Sequence, residues 1–120
     1  MRGVAKRSWW LLGGLGLVAA TVLASAPNAG AGGCFGETPT IVRGSGNDRV
    51  QGTQGNDVIF TGAGDDYVAG GGGRDLICAG DGDDFVDSGK HNDQIDGGDG
   101  RDELHGYNGD DRILGGDDDD

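Results

Sequence analysis

From Arg43 onward, one large aliphatic residue returns at every ninth position: Val50, Ile59, Val68, Ile77, Val86, Ile95, Leu104 and Ile113. Between them the chain is dominated by glycine, aspartate and asparagine. Side chains alternate faces along a strand. Each aliphatic residue is therefore expected to point inward from a short strand, with its two neighbours pointing outward. A different pattern occupies the start of the chain. "WWLLGGLGLVAATVLA", Trp9 to Ala24, is an apolar run of 16 that follows Arg2, Lys6 and Arg7. Small residues come next, with Ala29-Gly30-Ala31 as an A-x-A cleavage candidate and Ala24-Ser25-Ala26, just before Pro27, as a second. This three-part layout predicts a secretory signal over residues 1–31. The run holds three glycines and falls short of the ~20 residues that span a bilayer, so no integral membrane span is expected after cleavage. "KRSWW" has only a faint likeness to a twin-arginine signal, which favours the general export route.

The nine-residue period extends to the polar positions. Residues 43–114 divide without insertion into "RGSGNDRVQ", "GTQGNDVIF", "TGAGDDYVA", "GGGGRDLIC", "AGDGDDFVD", "SGKHNDQID", "GGDGRDELH" and "GYNGDDRIL". Position six is aspartate in all eight units: Asp48, Asp57, Asp66, Asp75, Asp84, Asp93, Asp102 and Asp111. Position four is glycine in seven: Gly46, Gly55, Gly64, Gly73, Gly82, Gly100 and Gly109, with His91 the exception. Position two is glycine in six: Gly44, Gly62, Gly71, Gly80, Gly89 and Gly98, with Thr53 and Tyr107 departing. The final "GGDDDD", residues 115–120, is either the start of a ninth unit or a solvated acidic tail.

These columns match the nonapeptide G-G-x-G-x-D-x-U-x, where U is a large aliphatic residue. The chain resembles the RTX, or haemolysin-type, calcium-binding repeat family, and its leader and preamble resemble small secreted bacterial members. The resemblance implies an all-β fold, a parallel β-roll, in which six residues of each unit form a turn and three a strand. Two units complete a coil. Odd units would then stack Val50, Val68, Val86 and Leu104 in one parallel sheet, and even units Ile59, Ile77, Ile95 and Ile113 in the other. Residues 32–42 form a preamble, and "CFGETPTIV" counted in nines puts Ile41 at the aliphatic position, where it could cap the first coil. The resemblance also assigns the position-six aspartates to ions on both sides of their turns, with glycine-region carbonyls completing the shell. The pairs are Asp48/Asp66, Asp66/Asp84 and Asp84/Asp102 on one edge, and Asp57/Asp75, Asp75/Asp93 and Asp93/Asp111 on the other, up to six interior sites. Sites sharing Asp93 are weakened by His91 and Lys90 in the same unit. Asp65, Asp83 and Asp110, at position five, are expected to be solvated turn residues.

Charge strengthens the need for a cation. Without the leader's three basic residues, six basic face 21 acidic residues, a net charge of −15 over 89 residues. Phosphate contacts need lysine and arginine, so nucleic acid is excluded as a natural partner. Such charge with few aromatics reads as disorder unless a cation completes the sum. Eight aliphatic residues cannot by themselves offset the entropy of ordering so glycine-rich a chain. Calcium takes six to eight oxygens, carbonyls included, whereas magnesium demands strict octahedral geometry and keeps its waters. No thiolate or imidazole cluster offers a zinc or copper site.

Two cysteines in an exported chain suggest one disulfide, Cys34–Cys78. Its rival is a lipid-modified Cys34, although "AGGC" lacks the usual aliphatic residue three positions earlier. Val58, Phe60 and Leu76 make the early outer surface apolar, and the preamble with Phe35 is expected to cover it. No catalytic constellation emerges. His91 and His105 fall on opposite sides of the roll, there is no nucleophile elbow, "SGKH" is no phosphate loop, and "DGDDFVD" is no EF-hand because Phe85 holds the fifth position of that loop. A calcium-stabilised, non-catalytic binding or structural module is the leading expectation. The alternatives are an accessory module for carbohydrate or cell-surface binding beside a separate enzyme, its protein or glycan partner unspecified, and a disordered acidic cation buffer. Toxin, protease or lipase activity is not carried over from the family.

Overall fold

In a computed structural model that describes residues 34–117, one aliphatic residue per unit builds the interior of a parallel β-roll. The leader expected over residues 1–31, and residues 118–120, lie outside the described residues. Among the described residues nine strands appear: β1 (Ile41–Val42), β2 (Arg49–Gln51), β3 (Val58–Ala63), β4 (Tyr67–Ala69), β5 (Leu76–Asp81), β6 (Phe85–Asp87), β7 (Gln94–Asp99), β8 (Glu103–His105) and β9 (Arg112–Asp117). They alternate between two sheets, ordered β1-β3-β5-β7-β9 and β2-β4-β6-β8. Every pairing between these strands is parallel, and the register is set by the eighteen-residue coil: Val50 pairs with Val68 and Ile59 with Ile77. Among the described residues no helix is long and apolar enough to cross a membrane.

The period-two alternation of a strand decides which side chains enter the core. Val50, Ile59, Val68, Ile77, Val86 and Ile95 are buried, joined by Ala79, with Ile41 and Leu104 packed against them. Ile41 pairs with Ile59, so the preamble does cap the first coil. The Cys34–Cys78 disulfide, with Cα atoms 5.6 Å apart, pins that cap to β5. Phe60 is buried beside it, while Val58 and Leu76 are half-buried. At the opposite end Ile113 does not join the core as expected. It is 43% exposed because no described coil stacks beyond β9.

The strands also depart from the expected division into six turn and three strand residues. It holds in β4, β6 and β8, but β3, β5, β7 and β9 each run for six residues. After position nine the chain stays extended through the start of the following unit. Gly62 pairs with Gly80 and Ala63 with Asp81, while Thr61 and Ala79 at the bend turn inward and are fully buried. For the same reason β9 reaches Asp117, and residues 115–117 lie within that strand. Beyond the first coil, most glycines at positions two and four lie too close to the backbone of the preceding coil to carry a side chain. Gly80 has φ +114°, and a Cβ there would collide with the Gly62 carbonyl of the preceding coil. Left-handed backbone of this kind is costly for any residue with a Cβ.

Candidate metal centre

The turns joining the sheets stack into two edges. Position six of each unit ends a turn just before the aliphatic strand, so the parallel register places each of these aspartates one coil from the next of its column. The backbone N–H of each donates to the carboxylate of its counterpart in the following coil. Asp48 N–H reaches Asp66 Oδ1 at 2.7 Å, Asp66 reaches Asp84 at 2.7 Å and Asp84 reaches Asp102 at 3.0 Å. On the other edge Asp57 N–H reaches Asp75 Oδ1 at 2.9 Å, Asp75 reaches Asp93 at 2.8 Å and Asp93 reaches Asp111 at 2.9 Å. The six aspartate pairs read from the sequence are thus all neighbours. The backbone carbonyl of position six is used as well: Asp66 accepts from Phe85 N–H and Asp75 from Gln94 N–H, both at 2.9 Å.

One oxygen per carboxylate carries this ladder, and in four of these aspartates the other is left over. Asp66, Asp75, Asp84 and Asp93 are almost fully buried, and their Oδ2 atoms accept no hydrogen bond. The Ser88 hydroxyl lies near Asp93 but is donated to the Gly106 carbonyl at 3.2 Å. The spare oxygen faces the first residue of its own unit, since a Cβ on Gly70 would sit 2.8 Å from Asp75 Oδ2. A buried, unsatisfied carboxylate oxygen is expensive.

The acidities register that cost. Burial pushes Asp84 up to about 7, against the Asp66 N–H that favours the anion; the Asp66, Asp102 and Asp65 carboxylates push it further. Burial likewise lifts Asp75 to about 6, opposed by the Asp57 N–H and reinforced by the Asp93 and Asp57 charges. Asp93 is also raised by burial, with the Asp75 N–H and Ser88 opposing. A divalent cation reverses this logic, because it favours the ionised form and occupies the spare oxygens. Among the described residues no three His, Cys, Asp or Glu side chains converge into a metal cluster. An ion between two stacked turns would therefore meet at most two of these carboxylates and would take its remaining ligands from backbone carbonyls. That all-oxygen donor set fits calcium and not zinc.

Most residues of the glycine columns have left-handed backbone. Gly46, Gly62, Gly64, Gly71, Gly73, Gly80, Gly82, Gly89, Gly98, Gly100 and Gly109 all take left-handed φ. Gly44 and Gly55 do not, and both belong to the first two units, where the turns are shaped differently. His91 and Tyr107 accept left-handed φ, 82° and 61°, despite their side chains. His91 Nδ1 lies 3.2 Å from Gly73 N and 3.0 Å from the Lys90 carbonyl.

Position five has a larger part than a solvated turn residue. Asp65 N–H donates to Asn47 Oδ1, Asp83 N–H to Asp65 Oδ1 and Arg101 N–H to Asp83 Oδ1, each at 3.1 Å. On the other edge Arg74 N–H donates to Asn56 Oδ1 at 2.8 Å and Asp110 N–H to Asn92 Oδ1 at 3.1 Å. This second ladder runs opposite to the first, with each side chain reaching forward along the roll. The recurrence of Asn or Asp at position five was its signal in the sequence, because both supply a short side-chain acceptor.

Four copies of a family model described as "RTX calcium-binding nonapeptide repeat" match the chain, over residues 43–77, 70–95, 79–104 and 89–120. No curated protein and no solved structure was found to match it.

Proposed function

The chain belongs to the RTX calcium-binding nonapeptide-repeat family, and from that premise we propose that it is a secreted, non-catalytic module whose roll folds around Ca²⁺ held between successive turns. The observation that carries this reading is the set of buried, unsatisfied Oδ2 atoms on Asp66, Asp75, Asp84 and Asp93. Up to six interior sites would lie between the stacked aspartate pairs, with glycine-region carbonyls as further ligands. Bound calcium supplies positive charge and six to eight coordination positions for oxygen. The chain's own residues do the rest. The Oδ1 ladder fixes each carboxylate against the neighbouring coil, and the glycine turns bring carbonyls to the same edge. The leader over residues 1–31 would deliver the chain outside the cell, where calcium modules bind with Kd around ~10⁻⁴–10⁻³ M. Among the described residues an accessory carbohydrate-binding role has less support. Tyr67 and Phe85 stack face to face at 5.2 Å, and Arg49 lies 4.0 Å over the Tyr67 ring, so these faces are already engaged.

Calcium titration of residues 32–120, followed by calorimetry and circular dichroism, tests the reading. Binding of several ions with a concurrent gain of sheet signal is the expected result. Full sheet signal in chelator, or no bound calcium at millimolar concentration, would overturn it.

A further inference from the structure

The Asp57 carboxylate differs from the other buried members of its edge. Its Oδ2 accepts the Thr53 N–H at 2.7 Å and the Thr53 hydroxyl at 2.9 Å. Thr53 Oγ1 in turn accepts the Gly55 N–H at 3.0 Å, which orients the hydroxyl hydrogen toward Asp57. The next two coils have Gly71 and Gly89 at the same place, both left-handed, and there Asp75 and Asp93 keep an unsatisfied Oδ2. Thr53 does not take left-handed φ. We propose that Thr53 supplies with its own N–H and hydroxyl what a cation supplies in later turns, so that this end of the edge closes without calcium and seeds the roll. The inference rests on the calcium reading above and narrows it.

Three further observations agree. A cation at Asp57 Oδ2 would face two donor hydrogens. The N–H could turn away only if Thr53 became left-handed, an outlier conformation for a β-branched residue. On the outer side of Asp57 the position-six residue of the preamble is Pro39, which has neither carboxylate nor N–H. The same coil is also tied by protein groups. The Thr40 hydroxyl accepts from Val58 N–H at 2.9 Å, and Cys34 is bonded to Cys78. The Asp57/Asp75 gap is accordingly the interior site left without an ion, and loading on this edge begins at Asp75/Asp93.

Calcium stoichiometry by calorimetry, compared between the native chain and Thr53→Gly, tests the assignment alongside amide exchange in chelator. Thr53→Gly should bind one more ion than the native chain. In chelator the native amides of Thr53 and Asp57–Phe60 should exchange slowly, and Thr53→Gly should lose that protection. Thr53→Val, which keeps the backbone but not the hydroxyl, should lose protection without gaining an ion. Equal stoichiometry in the native chain and Thr53→Gly overturns the inference while leaving calcium binding intact. Rapid exchange of those native amides in chelator also overturns it. If neither protein binds calcium the reading under "Proposed function" fails, and the chelator arm still decides whether Thr53 closes the coil.

Discussion

In the proposed reading Asp66, Asp75, Asp84 and Asp93 each have two separable tasks, since Oδ1 holds the preceding coil and the unsatisfied Oδ2 would take a cation. Asp75→Asn keeps an oxygen for the Asp57 N–H and removes the charge, so it isolates the second task. Calorimetry should show the loss of the ion that Asp75 shares with Asp93, and the calcium midpoint of folding should rise several-fold. Asp65→Ala removes one exposed acceptor for Asp83 N–H, so it should cost about 0.5–1.5 kcal/mol and no ions. Equal ion losses from the two variants would show that the ligand column is misassigned. The raised acidities give a pH dependence to the ion-free roll. Asp84 and Asp75, at about 7 and about 6, hold protons in the ion-free roll that the unfolded chain has already lost. Ion-free structure is therefore stabilised at low pH and weakens as pH rises through 6 to 7. The calcium-loaded roll and the unfolded chain both hold those carboxylates ionised across that window, so the loaded roll's stability should be nearly flat there and fall only below about 4, where the unfolded chain takes up protons. Circular dichroism from pH 4 to 8 should show sheet signal falling with rising pH in chelator and a flat profile in saturating calcium; a falling profile with calcium would show that the ions do not hold these carboxylates.

At the scale of the strand and turn, coil spacing decides what each glycine tolerates. Gly80 sits under the Gly62 carbonyl with φ +114°, whereas nothing lies within 4 Å of a Cβ on Gly44. Gly80→Ala should therefore destabilise by about 2 kcal/mol or more, from left-handed strain and steric clash together. Gly44→Ala should be close to neutral. Calcium-dependent thermal unfolding of the two variants measures the difference, and similar melting temperatures would mean that the coils can separate without penalty. The outer face of the shorter-stranded sheet adds a ladder of its own. Tyr67 stacks on Phe85, Phe85 lies 5.3 Å from His105, and His105 lies 5.5 Å from Tyr107. Such same-face stacking along a sheet supplies packing that one aliphatic residue per unit cannot.

Across the whole molecule, stability comes from neighbour contacts, as in other solenoids. With a cation in most of those contacts, coils beyond the first should order together as calcium is added, and sodium chloride should not replace it. Circular dichroism of residues 32–120 in chelator, in high salt and in millimolar calcium distinguishes coordination from screening. Folding by salt alone would make screening the cause. The ends are unequal. The Cys34–Cys78 bond, with a sequence separation of 44, is worth about 4 kcal/mol by the chain-entropy model. Reduction should loosen β1 to β5 more than β7 to β9, as mapped by amide exchange. Uniform loosening, or two free thiols in the untreated chain, would remove the disulfide from this role.

The sequence by itself determined the period, the inward column from Val50 to Ile95, the odd and even sheets and the aspartate pairs. The period and the inward column follow from a strict repeat; the two-unit coil, and with it the odd and even sheets and the aspartate pairs, is what the resemblance to the RTX family implies. Glycine at positions two and four was legible for the same reason, because a column is constrained by its own copy one coil away. What the tertiary structure decided lies where the repeat is broken or where a direction had to be chosen. The exposure of Ile113 depends on there being no described coil beyond it, which a column of aliphatic residues does not reveal. The six-residue strands depend on how far the hydrogen-bond ladder continues around the bend at Thr61 and Ala79. Which oxygen of each aspartate holds the neighbouring coil, and which is left over, is set by turn geometry that composition does not encode. Thr53 read in the sequence as a missing glycine; in three dimensions its N–H and hydroxyl meet the Asp57 carboxylate, because an ordinary φ aims them there.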